Sequence, residues 1–274
     1  MGYKLIAFDL DGTLYDRHAG LTLSPRTREA VGRVRELGAE VTIATGRMFS
    51  STLRFCTELG LTIPIICYQG ALIGDPVTKE VMWEKPVPLD MTRRVIGLVE
   101  DIGIAPYVFI RDDFYVRERT DRVRQYENAL DITAREVGNL AKFLREGPTK
   151  LVVVGEEAEM SEVEHRVKET FGSSLSVVRT YDHLCEIGHP EASKGQALSY
   201  LASTLGVSRE ETVAVGDSPN DVDMIRWAGL GVAMASASPE VVEAADLMAK
   251  PVSEDGVADL LDDLISRSLI APLL

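Results

Sequence analysis

Between Tyr3 and Cys67, short aliphatic runs alternate with helical segments that carry their own start and stop signals. No other feature of the sequence constrains the fold as tightly. Tyr3–Phe8 is a β-rich apolar run, read as a strand buried on both faces. In "SPRTREAVGRVRELG", Ser24 is placed to cap a helix, Pro25 suits its first position and Gly38 its end. Ala30, Val31, Val34 and Leu37 recur there at helical spacing. "EVTIAT" reads as a second strand, Phe49–Leu59 as a helix and "IPIIC" as a third strand. Strand, helix, strand, helix, strand is the order of a parallel sheet joined by crossover helices.

The last quarter repeats that order. "SKGQALSYLASTLG" is a capped helix, "TVAVGD" a strand, "DVDMIRWAG" a helix, "GVAM" a strand, "PEVVEAA" a helix and "LMA" a strand before a final helix from Gly256 to Ile265. The middle differs. A helix at Asp90–Ile102 precedes strands at Tyr107–Ile110 and Phe114–Val116, joined by the short polar turn "RDD". Helical stretches, a strand at Leu151–Val154, a helix at Glu157–Phe171 and strands near Ser176–Arg179 and Leu184–Ile187 follow. Tight polar turns between adjacent strands indicate antiparallel pairing. The expected fold class is α/β: a Rossmann-like doubly wound parallel sheet core from residues 1–85 and 190–274, with an α+β domain inserted at 86–189.

Charge narrows the partners. Of 274 residues, 29 are Lys or Arg and 43 are Asp or Glu, for a net charge of −14. Such a surface repels nucleic acid and anionic lipid, so neither is expected as a general partner, and a phosphate compound needs a local cation. No run reaches the ~18 apolar residues of a membrane span, so no membrane association is expected. Cys56, Cys67 and Cys185 have no CxxC spacing and are read as buried small hydrophobes in a reducing compartment. With no apolar leader segment at the start, a cytoplasmic protein is the expectation.

The chemistry sits at strand ends, where ligands of open α/β sheets bind. "LIAFDLDGTLYD" places Asp9 and Asp11 two residues apart after the first strand, with Gly12 and Thr13 behind them. Adjacent carboxylates repel by about 1 kcal/mol at 4 Å in water and by more in a cleft. A divalent cation or a shared proton relieves this, and either state is useful: a metal-bound carboxylate can attack phosphorus, and a protonated one can act as an acid. The alternative is a plain Asp–Gly turn. "TIATGRM" brings a hydroxyl (Thr45), a free N–H (Gly46) and a guanidinium (Arg47) to the next strand end. It reads as an oxyanion cradle, or as a simple turn with Thr45 as cap. Lys194 occupies the first turn of a helix, where the helix dipole opposes it unless an anion is near. In "AVGDSPNDVDM", Asp217, Asn220 and Asp221 form a hard-oxygen cluster suited to Mg²⁺, or alternatively a set of N-caps.

In order and placement, "DLDGT", "TGR", Lys194 and "GDSPND" closely resemble the haloacid dehalogenase-like superfamily of phosphohydrolases. The inserted region resembles the large α+β cap of its Cof-type subgroup. The resemblance covers the whole chain and implies a Mg²⁺-dependent phosphatase of small phosphorylated metabolites, such as sugar phosphates. By that likeness Asp9 is the nucleophile that forms an aspartyl-phosphate, and Asp11 is the acid and then the base. Mg²⁺ is held by Asp9, the carbonyl of Asp11 and Asp217, with Asp221 supporting. Thr45, Gly46 and Lys194 bind phosphate, Asn220 orients phosphate or Lys194, and Arg47 reaches substrate. One departure is Gln69–Gly70, where the subgroup usually has Asn–Gly, so the contact at Gln69 is altered. Arg111, Tyr181 and His183 are the candidate substrate contacts of the insertion. His18, His165, His183 and His189 are each read first as surface or packing residues, and His183 and His189, near the return to the core, are the two of the four placed to face the cleft. The insertion splits the catalytic motifs, so its two junctions are expected to act as a hinge for a cap that closes on the site. Two rival readings are a phosphomutase of the same fold and a non-catalytic metabolite-binding protein. The acid beside the nucleophile speaks against the latter.

Overall fold

The computed structural model describes residues 2–16, 22–130 and 132–273, without the side chains of residues 180 and 181. His18 therefore lies outside the described residues, as does the Tyr181 side chain. The chain divides into two compact units, one of residues 1–83 and 193–274 and one of residues 84–192.

The first unit opens with β1 (Leu5–Phe8), α1 (Pro25–Glu36), β2 (Glu40–Ile43), α2 (Phe49–Leu59), β3 (Ile65–Cys67), β4 (Leu72–Gly74) and β5 (Val81–Glu84). All four residues of β1 are fully buried, as an apolar strand with helices on both faces must be. Ser24 caps α1 by accepting from the Thr27 N–H at 3.0 Å, with Pro25 in the first turn.

The inserted unit holds α3 (Leu89–Glu100), β6 (Tyr107–Ile110), β7 (Asp113–Val116), α4 (Asp121–Leu130), β8 (Ala134–Glu136), α5 (Leu140–Phe143), β9 (Lys150–Val154), α6 (Glu157–Phe171), β10 (Ser176–Tyr181) and β11 (Leu184–Gly188). The first unit resumes with α7 (Lys194–Thr204), β12 (Thr212–Gly216), α8 (Val222–Trp227), β13 (Leu230–Met234), α9 (Pro239–Ala244), β14 (Leu247–Ala249) and α10 (Gly256–Ser266). No described helix is long and apolar enough to cross a membrane.

The core sheet runs β14-β13-β12-β1-β2, and all of its pairs are parallel. β1 lies between β12 and β2, so the carboxyl ends of these three strands lie side by side. The third predicted strand departs from expectation. β3 meets β2 only through a parallel bridge between Ala44 and Ile66, and pairs antiparallel with β4 in a three-stranded sheet with β5. Tyr68 and Gln69 at its end have φ of +53° and +57°, a left-handed turn that sends the chain back on itself.

The inserted unit is a six-stranded sheet, β10-β11-β9-β6-β7-β8, antiparallel except for the β7–β8 pair. Leu151 and Val153 of β9 join Val95, Val99, Met160, Val163 and Val167 of α3 and α6 in one buried cluster. All three cysteines are buried.

Candidate active site

The end of β1 delivers Asp9 into a buried ion cluster. Lys194, at the start of α7 and only 1% exposed, donates from Nζ to Asp9 Oδ1 and to Asp221 Oδ1, each at 2.6 Å. The anionic compensation that a lysine needs at a helix start is thus supplied by two carboxylates. Burial alone would favour the neutral amine, but Asp221 and Asp9 more than offset it and raise the Lys194 pKa. Asp9 Oδ2 has no hydrogen-bond partner among the described residues, so one carboxylate oxygen is held and the other is free.

Asp221 is fully buried and fully engaged. Its Oδ2 accepts the backbone N–H groups of Asp217 and Ser218, both at 3.0 Å, while Oδ1 holds Lys194. It ties down its own loop rather than capping α8, which has no side-chain cap. Asp217 accepts from Thr13 Oγ1 at 3.4 Å and from Ser218 Oγ at 3.2 Å. Gly12 makes this approach possible. Its φ is +91°, and a Cβ there would sit 2.4 Å from Asp217 Oδ2.

Asp9, Asp217 and Asp221 each offer an oxygen within 4.8 Å of the others. Lys194 pairs with the buried Asp9 and Asp221, and the half-buried Asp217 adds a third carboxylate beside them. Burial, which outweighs Lys194, and repulsion from Asp221 raise the Asp9 pKa to about 8. Burial and then Asp221 raise Asp217 to about 6. The donor set consists of hard oxygens with an excess of negative charge, and it fits a divalent cation such as Mg²⁺.

Asp11 faces a different neighbourhood. Its carboxylate is not part of that cluster. Arg47 forks onto it, Nε to Oδ2 and Nη2 to Oδ1, both at 2.7 Å. The Tyr15 hydroxyl donates to Oδ1 at 2.7 Å. Arg47 is therefore committed to Asp11. Thr45, buried at the end of β2, accepts the Arg47 N–H at 3.2 Å, which folds the "TGR" turn. Asn220 is held by Gln69. Its Nδ2 donates to Gln69 Oε1 at 2.6 Å, while Gln69 N–H donates to the Thr45 carbonyl at 3.0 Å. The extra methylene of Gln69 thus spans to the Asn220 loop, and its amide nitrogen lies against Gly46, where a Cβ would be 2.4 Å away.

The inserted-unit candidates do not gather. Arg111 sits in the β6–β7 turn with φ of +52°, and its guanidinium pairs with Glu84 at 3.4 Å and Glu146 at 3.2 Å. His183 sits in the β10–β11 turn. Phe109 pairs with Lys150 at one end of β9, and Leu184 with Val154 at the other. Arg111 and the Tyr181–His183 turn are therefore at opposite ends of the sheet. His165 lies exposed beside Glu169 on α6, and His189 Nδ1 accepts the Glu191 N–H. Tyr15 and Ser218 were not singled out from the sequence. Nothing in their spacing distinguishes them from a core tyrosine and a turn serine.

A family model of haloacid dehalogenase-like hydrolases matches residues 6–261. The Bacillus subtilis protein YxeH is 31% identical over 270 residues, covering 96% of this chain and 98% of its own. The 5-amino-6-(5-phospho-D-ribitylamino)uracil phosphatase YitU of the same organism is 28% identical, with coverage of 96% and 97%. Among solved structures, a haloacid dehalogenase-like hydrolase from Bacteroides thetaiotaomicron superposes with a TM-score of 0.86 at 28% identity, covering 96% of this chain and 99% of that one.

Proposed function

The chain belongs to the haloacid dehalogenase-like hydrolase family, and on that premise we propose that it is a Mg²⁺-dependent phosphatase of small phosphomonoesters acting through an aspartyl-phosphate on Asp9. The observation that carries this reading is the state of Asp9. One of its oxygens is fixed by Lys194 at 2.6 Å and the other is unengaged, in a cluster whose excess negative charge calls for a cation.

Phosphate-monoester hydrolysis is among the slowest uncatalysed reactions, so the site must orient a nucleophile, neutralise phosphoryl oxygens and protonate the leaving group. Asp9 attacks phosphorus. Lys194 holds Asp9 in line and offers positive charge to the transferring group. Thr45 and Gly46 lie at the neighbouring strand end as further phosphate donors, with the Gln69 amide beside Gly46. Asp11 gives a proton to the leaving oxygen and then takes one from the water that cleaves the acyl phosphate. Asp9, Asp217 and the Asp11 carbonyl would hold Mg²⁺, with Asp221 bracing the Asp217 loop. The ion would supply charge neutralisation at the phosphoryl oxygens.

The inserted unit, 84–192, is the proposed selector of leaving groups. The phosphoryl chemistry belongs to motifs outside it, and relatives of similar length include one named for a specific phosphorylated metabolite. Turnover of a panel of small phosphomonoesters, with Mg²⁺ and with EDTA, tests the reading. Hydrolysis that needs Mg²⁺ and disappears in Asp9→Asn supports it, and equal turnover in EDTA contradicts it.

A further inference from the structure

We propose that the inserted unit carries a ligand site of its own: a cavity at one end of its sheet that takes a single-ring heteroaromatic carboxylate. The inference goes beyond the phosphatase reading and does not rest on it. Every residue of the cavity wall lies within the inserted unit and outside the catalytic motifs.

The cavity holds about 250 Å³ and is framed by the loop before β6, the end of β7, the first turn of α4 and the end of β9. Ile104, Pro106, Val116, Val123 and Val154 give it apolar walls. An apolar cavity of about 150 Å³ takes a benzene ring, so this one has room for a substituted single ring. Tyr107, only 4% exposed, also lines it, and its hydroxyl is buried with no hydrogen-bond partner among the described residues. The ring is held in place, edge-on to Tyr126 at 5.2 Å and tilted against Phe114 at 5.5 Å between centroids. Burial pushes the hydroxyl pKa up to about 12, an effect that Arg122 opposes and Glu127 reinforces. The phenol is therefore protonated at neutral pH, a buried donor without an acceptor.

The mouth is cationic. Arg117 and Arg122 line the cavity against one carboxylate, Glu118, in a chain of net charge −14. Arg122 Nη1 donates to the Val154 carbonyl at 3.1 Å, which fixes the guanidinium at the wall. The acids nearest Arg122, Glu156 and Glu159, stand 3.7 Å away, beyond hydrogen-bond distance, and close the capping box of α6 instead. Arg117 is likewise 3.7 Å from Glu100. Both guanidiniums thus keep donors for an anion. Their side chains are 55% and 39% exposed, which sets them at the mouth while Tyr107 lies buried. A ligand that meets these features is flat and apolar in its middle, with an acceptor at one end for Tyr107 and a carboxylate at the other for the arginines. Pyridine-4-carboxylate has that form, with its ring nitrogen and its carboxylate on opposite sides of one ring.

The test is isothermal titration calorimetry on the full chain with three probes: pyridine-4-carboxylate, benzoate, which lacks the ring acceptor, and pyridine-4-carboxamide, which lacks the charge. The wild type is expected to bind the first roughly fivefold more tightly than benzoate and roughly tenfold more tightly than the amide. Tyr107→Phe should erase the first difference and keep the second. Arg122→Gln should shrink the second and keep the first. Asp9→Asn should bind all three probes as the wild type does, because the cavity shares no residue with the catalytic motifs. No saturable binding, equal affinity for the two acids in the wild type, or loss of binding in Asp9→Asn overturns the site. Thermal unfolding without ligand gives an independent reading. Tyr107→Phe removes a buried group that has no partner, so its Tm should stay the same or rise. A fall of several degrees would mean that the hydroxyl is already bonded within the protein, and the proposal would fail.

Discussion

Lys194 is the single residue on which most of the site's electrostatics depends. It has no exposed side chain and bridges two carboxylates. Removing one partner of a buried ion pair typically costs about 3–5 kcal/mol, because the remaining charge is left without compensation. Lys194→Met should therefore lower unfolding free energy by about that amount at neutral pH without added metal, as measured by urea titration. A loss under about 1 kcal/mol would mean that the cluster is hydrated enough not to need the ammonium. Gly12 gives a second residue-level test. A methyl group at its φ of +91° would collide with Asp217, so Gly12→Ala should raise the Mg²⁺ concentration needed for half-maximal turnover several-fold. An unchanged Mg²⁺ dependence would remove Asp217 from the metal site. The motif carboxylates and Lys194 were legible in the sequence because each breaks a local rule: paired like charges at a strand end, and a cation at a positive helix end. Tyr15 breaks no rule, and the Asn220–Gln69 contact joins residues whose proximity only the folded sheet creates.

At the scale of elements, long segments with their own caps were readable. The sequence reading matches α2 and α6 end to end and places α1 within a residue or two. The elements it missed are three or four residues long: β4, β5 and β8. At that length periodicity carries almost no information, and the pairing comes from neighbouring strands. The same limit applies to β3, whose antiparallel partner β4 was invisible. Sheet register then limits the inserted unit's candidates. β9 has five residues between the Arg111 end and the His183 end, a span of roughly 13 Å at the usual strand rise. A phosphomonoester much shorter than that span is not expected to contact both ends. Arg111→Ala and His183→Ala should not both change the ranking of substrates. If both re-rank the same panel of metabolites by kcat/KM, the two turns approach each other in a way this register forbids.

For the whole molecule, the excess charge of the site links stability to pH and to metal. Asp9 and Asp217 have folded-state pKa values raised from 3.8 to about 8 and about 6. The folded protein then holds protons that the unfolded chain releases. Their contribution to stability is full below about pH 4 and is lost as pH rises through about 6 and then about 8. A divalent cation takes the place of those protons. The Tm increment from Mg²⁺ relative to EDTA should therefore be larger at pH 8 than at pH 5.5, and equal increments would contradict a metal site built on these carboxylates. The fold class was legible in the alternation of strands and helices. The sequence did not show that Arg47, read as a substrate contact, is committed to Asp11. The most direct test of the account is chemical trapping at Asp9. Rapid quench of the Mg²⁺-loaded enzyme during turnover of an aryl phosphate, followed by borohydride reduction and peptide mass spectrometry, should convert Asp9 to homoserine in the wild type. It should leave Asp9 unchanged without substrate. Steady turnover with no modification at Asp9, or with modification at another carboxylate, would contradict the aspartyl-phosphate mechanism.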